Sequence, residues 1–356
     1  MKTITRKTIW SVCVLGTALL LTNCERQKDE PLDLYTFTDL RNLTMPATTL
    51  RAAAAVTVTP ATLTPSALAT AASNGYATAA TTGQVPAAVT QAASSMGAAL
   101  SGAGWPAPAF VSNFTPDVIN TLVAQGAIPG SLQTTVSTLA ANPSVQGYLP
   151  TVTYPTVNGQ PVTPTTTTLP VPTPPAITVP VTLKAVNYAG SDACFKAAND
   201  LFDATTAGFE TNRLGQVAAV NTTYGQAKSG ADNGVADCAT NTLATYKAAV
   251  AGAKGQLDAN VANLNAARSV LGEQNYFNLL ALSYVQFTRV VGLYITLQTT
   301  ELNTCTLVRD AKIAEARVAR DTNISAINVT FNGTVASAQA IVLRLLDSCH
   351  NQGAGG

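Results

Sequence analysis

The chain has 356 residues, a net charge of +1, and 11% charged against 47% hydrophobic side chains. So balanced a charge gives no electrostatic footprint for nucleic acid, and no nucleic-acid partner is expected. The length admits two domains, and the shortage of charge is confined to one stretch, which divides the chain.

Lys2, Arg6 and Lys7 precede an apolar run over residues 9–21. The run falls short of the roughly 20 apolar residues that a bilayer span needs, so it reads as a secretory signal. It ends in Leu21-Thr22-Asn23-Cys24, which resembles the lipobox of bacterial lipoproteins, where the cysteine is acylated on sulfur and becomes the new N-terminus. Leu21, Thr22 and Cys24 fit that pattern. Asn23 is larger than the usual Gly, Ala or Ser and is reminiscent of lipoproteins from Bacteroidetes or spirochaetes. The resemblance implies a signal peptide over 1–23 and lipidation at Cys24. The membrane then becomes a partner through acyl chains, each buried CH₂ contributing about 0.8 kcal/mol. It also implies a cell-envelope protein, an outer-membrane lipoprotein facing the cell surface or the periplasm. Lys28-Asp29-Glu30 resembles the sorting signal that sends some Bacteroidetes lipoproteins outward, though it sits late and also reads as a solvated charge run. Residues 24–51 read as a charged tether.

Between Arg51 and Lys184 the only charged side chain is Asp117. Residues 52–148 carry four similar segments: "TPSALATAASNG" (64–75), "VPAAVTQAASSMG" (85–97), "TPDVINTLVAQG" (115–126) and "IPGSLQTTVSTLAANP" (128–143). Each pairs an early proline with helically spaced apolar residues and a Gly, Asn or Pro stop. They predict four short helices, with Thr64 and Thr115 as N-caps. Aromatic residues are few, so a thin core and partial order are expected. Residues 149–183 are rich in Pro and Thr and predict an extended, semi-rigid spacer that could carry glycans on its threonines.

From Lys184 onward charges of both signs return and proline vanishes. Phe195, Phe202 and Phe209 recur every seventh residue, as do Leu243, Val250, Leu257, Leu264 and Leu271. Sevenfold spacing predicts long antiparallel helices packed as a bundle over 184–350, followed by a flexible tail over 351–356. Asn260 interrupts the inner line, where a buried Asn can fix register. A further helix is expected after Gly272, carrying the apolar run 276–297. Arg289 near its middle favours a buried bundle helix over a membrane span. The fold class is therefore mainly α: a disulfide-bearing helical bundle preceded by short helices and an extended spacer.

Cys194, Cys238, Cys305 and Cys349 remain after export, separated by 43, 66 and 43 residues. They imply two disulfides. Sequential pairing, 194–238 with 305–349, would fit a duplicated hairpin, hinted at by matches such as Asn212 with Asn323 and Asn221 with Asn332. Nested pairing, 194–349 with 238–305, would staple both ends of an up-down-up-down bundle, and the unbroken helical pattern after Cys194 favours it. Zinc sites want short paired spacings, so no metal is expected.

No sequence motif for catalysis is present. His350, the one histidine, stands beside Cys349 at the chain end. Asp200, Asp203 and Glu210 read as a solvated face, and "DNGVAD" (232–237) reads as a turn between helices because it lacks the ligand pattern of an EF-hand. No cofactor is expected. The resulting expectation is a membrane-anchored lipoprotein with a structural, adhesive or partner-binding role, its protein or glycan partner unknown, and no enzymatic activity. The alternative is capture of a small molecule or carbohydrate in a groove between helices. Resemblance to SusD-like binding lipoproteins extends only to the anchor and helicity, since the chain is short for that family and lacks its helical-pair repeat.

Overall fold

Gly272 adopts φ +75° and its N–H donates to the Arg268 carbonyl at 3.1 Å, closing helix α8 (Ala193–Leu271) with a left-handed cap. Only glycine takes that conformation without strain. Helix α9 (Glu273–Gln352) begins at the next residue, with Tyr276 N–H donating back to the Gly272 carbonyl. Arg268 and Glu273 pair across the turn through two hydrogen bonds of 2.9 and 2.7 Å. The expected antiparallel helical domain is therefore a single hairpin of two long helices, where the sequence predicted four. "DNGVAD" does not break α8, because a glycine inside a long packed helix costs only about 1 kcal/mol. The computed structural model describes residues 36–184 and 193–352. Cys24, the signal segment, the sorting motif, residues 353–356 and the His350 side chain lie outside the described residues, while the first two residues of the expected tail belong to α9.

The disulfides are Cys194–Cys349 and Cys238–Cys305, the nested pairing. Both bridges straddle the same midpoint, between Leu271 and Gly272. The equal 43-residue gaps are thus the geometry of one hairpin, and no duplication is needed to explain them.

The described residues form two compact units. The first holds α1 (Thr38–Arg41), residues 193–205 of α8 and residues 338–352 of α9. Phe37, Leu40, Phe195, Ala198, Phe202, Val342 and Leu346 are buried there, and Cys194–Cys349 ties its two long helices.

The second unit holds residues 44–184 and 206–337. Its chain runs through β1 (Val58–Thr59) and β2 (Thr62–Thr64) into the short helices. These are α2 (Ala67–Thr82), α3 (Ala87–Gly102), α4 (Ala107–Val111), α5 (Pro116–Gln125), α6 (Gly130–Ala141) and α7 (Pro143–Gln146). Thr115 caps α5 as expected, its hydroxyl accepting from Val118 N–H. Thr64 instead pairs with Thr151 in a ladder, and Ser66 caps α2. The stops expected at Gly75 and Gly97 are contacts: a Cβ on Gly75 would lie 2.5 Å from Val89, and one on Gly97 2.5 Å from Asn278. Those glycines let α3 approach α2 and α9, and the helices run on past them.

These short helices share one core with the hairpin tip, in which Tyr76, Met96, Phe110 and Leu139 join Leu264, Leu279, Leu282 and Val285. Residues 52–148 are therefore packed, in place of the partial order expected. The apolar run after Gly272 supplies the core that their composition lacks. Although α9 is long and apolar enough to cross a membrane by composition, 56% of its apolar window is buried inside the protein. A helix apolar all round is stable when it is wrapped in this way.

The expected spacer is also part of this unit. Strands β3 (Thr151–Thr153), β4 (Thr156–Val157) and β5 (Gln160–Pro161) pair antiparallel, β3 with β2 and β4 with both β1 and β5. Asn158-Gly159, both with positive φ, make the two-residue turn between β4 and β5. Beyond it, extended chain is strapped to α9: Asn303 Nδ2 donates to Thr166 O, Asn328 Nδ2 to Thr178 O, and Asn332 bonds both Val181 N and Val179 O. A second strap lies upstream, where Asn323 holds both the N–H and the carbonyl of Arg51, and Gln216 holds Thr48 N and Pro46 O. Helix amides thus act as the strand partners that proline-rich chain cannot provide for itself.

Candidate cleft between helices

Val250, Leu257, Leu264 and Leu271 are buried as the sevenfold pattern requires, but Leu243 is 47% exposed. A seven-residue stripe drifts about 20° per repeat on a straight α-helix, so four repeats carry its first member off the face. Asn260 sits between these positions and is buried, but it faces α2. Its Oδ1 accepts from Ser73 Oγ at 2.6 Å and from Gln256 Nε2 at 3.0 Å, and Gln256 Nε2 also reaches Ser73 Oγ at 3.0 Å. The Asn expected to fix register between the long helices docks a short helix instead.

This amide cluster lines a cleft of about 380 Å³ between α2, α8 and α9. Tyr148 and Phe287, both buried, and the partly exposed Tyr294 line it, together with Gln256, Asn260 and Gln286. Gln286 donates to Tyr148 O at 3.2 Å, and Ser283, also in the lining, donates to Leu279 O. The Tyr76 hydroxyl is buried close to Ser283 without a hydrogen bond of good geometry, and burial pushes its ionisation well above the ordinary phenol range. Burial likewise raises Tyr284 and Tyr246, the latter also facing Glu301. These phenols stay protonated in neutral solution. Among the described residues, no Asp, Glu, Lys, Arg or His lines the cleft.

Two other cavities lie in the same unit. One of about 280 Å³ sits under the upstream strap between Leu50, Tyr224 and Ala316. The other, of about 680 Å³, runs past Gln133, Gln146 and the exposed Arg289.

The sequence-predicted cysteines are brought together as two disulfides, at sites separate from the cleft. Asp200 is held by Lys196 and Glu210 by Arg213, so these carboxylates serve local ion pairs. No three His, Cys, Asp or Glu side chains among the described residues are grouped to hold a metal. Of the cleft residues, sequence reasoning singled out Leu257, as a member of the sevenfold line, and Asn260. The four-residue spacing of Gln256 and Asn260 on one helix face was the signal available for its neighbour. No family model, curated protein or solved structure matches the chain.

Proposed function

We propose that the chain is an exported lipoprotein, held at a membrane through Cys24, with a structural, adhesive or partner-binding role and no catalytic one. The observation that carries this is the run from Lys2 through the apolar residues 9–21 to Leu21-Thr22-Asn23-Cys24. Two disulfides support it, since such bridges persist in oxidising compartments such as the bacterial envelope. One acyl chain binds membranes only marginally, so stable anchoring calls for the multiple acylation that a lipobox cysteine receives. Metabolic labelling with palmitate tests the anchor: the wild-type protein takes up label and Cys24→Ser does not. An unlabelled wild-type band rejects the proposal. Protease treatment of intact cells then separates outward display, which releases peptides from the hairpin, from a periplasmic orientation.

A second reading, capture of a small ligand, is favoured by the interhelical cleft. Its volume falls in the lower part of the range for ligand sites, about 300–1,000 Å³, and it combines apolar walls with a few convergent polar groups.

A further inference from the structure

We infer that the cleft between α2, α8 and α9 binds a neutral saccharide; this rests on the capture reading and names its ligand class. Among the described residues the lining holds no ionic side chain, so a phosphorylated or carboxylated ligand would be desolvated there without a counter-charge. A purely apolar ligand fits no better. Gln256 Oε1, Gln286 Oε1, Asn260 Nδ2 and the Asn74 amide make no hydrogen bond among the described residues, and an apolar occupant would bury them unpaired.

A pyranose meets both conditions. Its adjacent hydroxyls each donate and accept, which matches the paired donor and acceptor of a primary amide. Its C–H faces are apolar and pack on an aromatic ring, here that of the partly exposed Tyr294. The amides are also partly fixed before binding. Gln256 is hydrogen-bonded to Ser73 and Asn260, and Gln286 to the Tyr148 carbonyl, so less side-chain entropy is lost on contact with ligand. The cleft volume suits one or two sugar rings, as a free oligosaccharide or as the end of a glycan chain.

The test uses the full-length lipidated protein in a detergent without a sugar headgroup. It is applied to an array of neutral and acidic glycans, and hits are quantified by calorimetry. The expected result is binding of neutral glycans, weakened at least tenfold in Gln256→Ala and Gln286→Ala while each variant still unfolds in one cooperative thermal transition. Binding that survives both substitutions, or that is restricted to acidic glycans, overturns the proposal. A Thr70→Cys variant labelled at the cleft rim with bimane separates the two levels of the argument. If neutral non-sugar compounds change its fluorescence and sugars do not, the saccharide assignment fails and capture stands. If neither does, both fail.

Discussion

The common midpoint of the two disulfides predicts that a third can be built. Along each helix the two cysteines stand four 11-residue steps apart, and eleven residues complete three turns at about 3.67 residues per turn. On α9 that stripe runs through Cys305, Ala316, Ile327, Ala338 and Cys349, all of them buried. In the hairpin register Ala316 faces Ala227, and both line the cavity under the upstream strap. Ala227→Cys with Ala316→Cys therefore places two thiols where the native pairs place theirs. Because Cys238–Cys305 already closes a 67-residue separation, the new bridge constrains about 22 further residues and adds at most about 3 kcal/mol on the chain-entropy account. Peptide mapping without reductant reads the link, and guanidinium unfolding against Ala227→Ser/Ala316→Ser reads its effect. Ala227→Cys with Ile327→Cys, displaced by three turns or about 16 Å, serves as the control and stays unlinked. Absence of the 227–316 peptide with Cys238–Cys305 intact, or equal linking in the control, would refute the register.

Three other substitutions probe separate parts of the second unit. Asn323→Leu removes both bonds to Arg51, a loss of about 2 kcal/mol at roughly 1 kcal/mol each. Trypsin should then cleave after Arg51 at least several-fold faster, and an unchanged rate rejects the clamp. Glu210 is held below the usual carboxylate range first by its hydrogen bonds to Arg213, so the stability it contributes is present above its unfolded pKa and is lost as pH falls through the depressed folded value. With a third of the Glu210 side chain exposed, Glu210→Gln should cost no more than about 1 kcal/mol at pH 7, and the two proteins should converge in acid. A gap that widens on acidification contradicts this sign. Tyr76→Phe removes a buried hydroxyl that lacks a well-formed hydrogen bond, so it should leave unfolding free energy unchanged or raise it by up to about 1 kcal/mol in urea titrations. A loss of more than about 1 kcal/mol would mean that the hydroxyl is well paired with Ser283.

What the sequence made legible follows from how local each signal is. Thr115 before Pro116, the turn at Gly272 and the absence of proline after Lys184 act within a few residues, and each appears in the structure as expected. The number of long helices was not legible, because a glycine such as the one in "DNGVAD" looks like punctuation whether or not packing overrides it. Gly75 and Gly97 misled in the same way: a glycine that ends a helix and one that admits a neighbouring helix have identical local sequence, and only the tertiary contact separates them. The cleft shows the same limit. Asn260 was conspicuous on an apolar line, yet its partner Ser73, like Gln286 elsewhere in the cleft lining, comes from a segment distant in sequence, and no spacing rule joins them.

The deeper reason that residues 52–183 read poorly is that neither half of their structure is self-sufficient. Six short helices with few aromatic residues bury too little to fold alone, and a proline-rich chain has too few donors to pair with itself. Both deficits are met by α9. Its first turns carry more apolar surface than one helix partner can cover, and its middle carries Ser325, Asn303, Asn323, Asn328 and Asn332, polar groups a simple coiled coil has no use for. The same asymmetry answers the membrane question. An apolar run that lipid could solvate would have no need of Asn278 donating to the Ala93 carbonyl, and Asn278 is buried against protein. Excess in one segment and deficit in another are thus one observation, and α9 is a helix whose composition is explained by the chain wrapped around it.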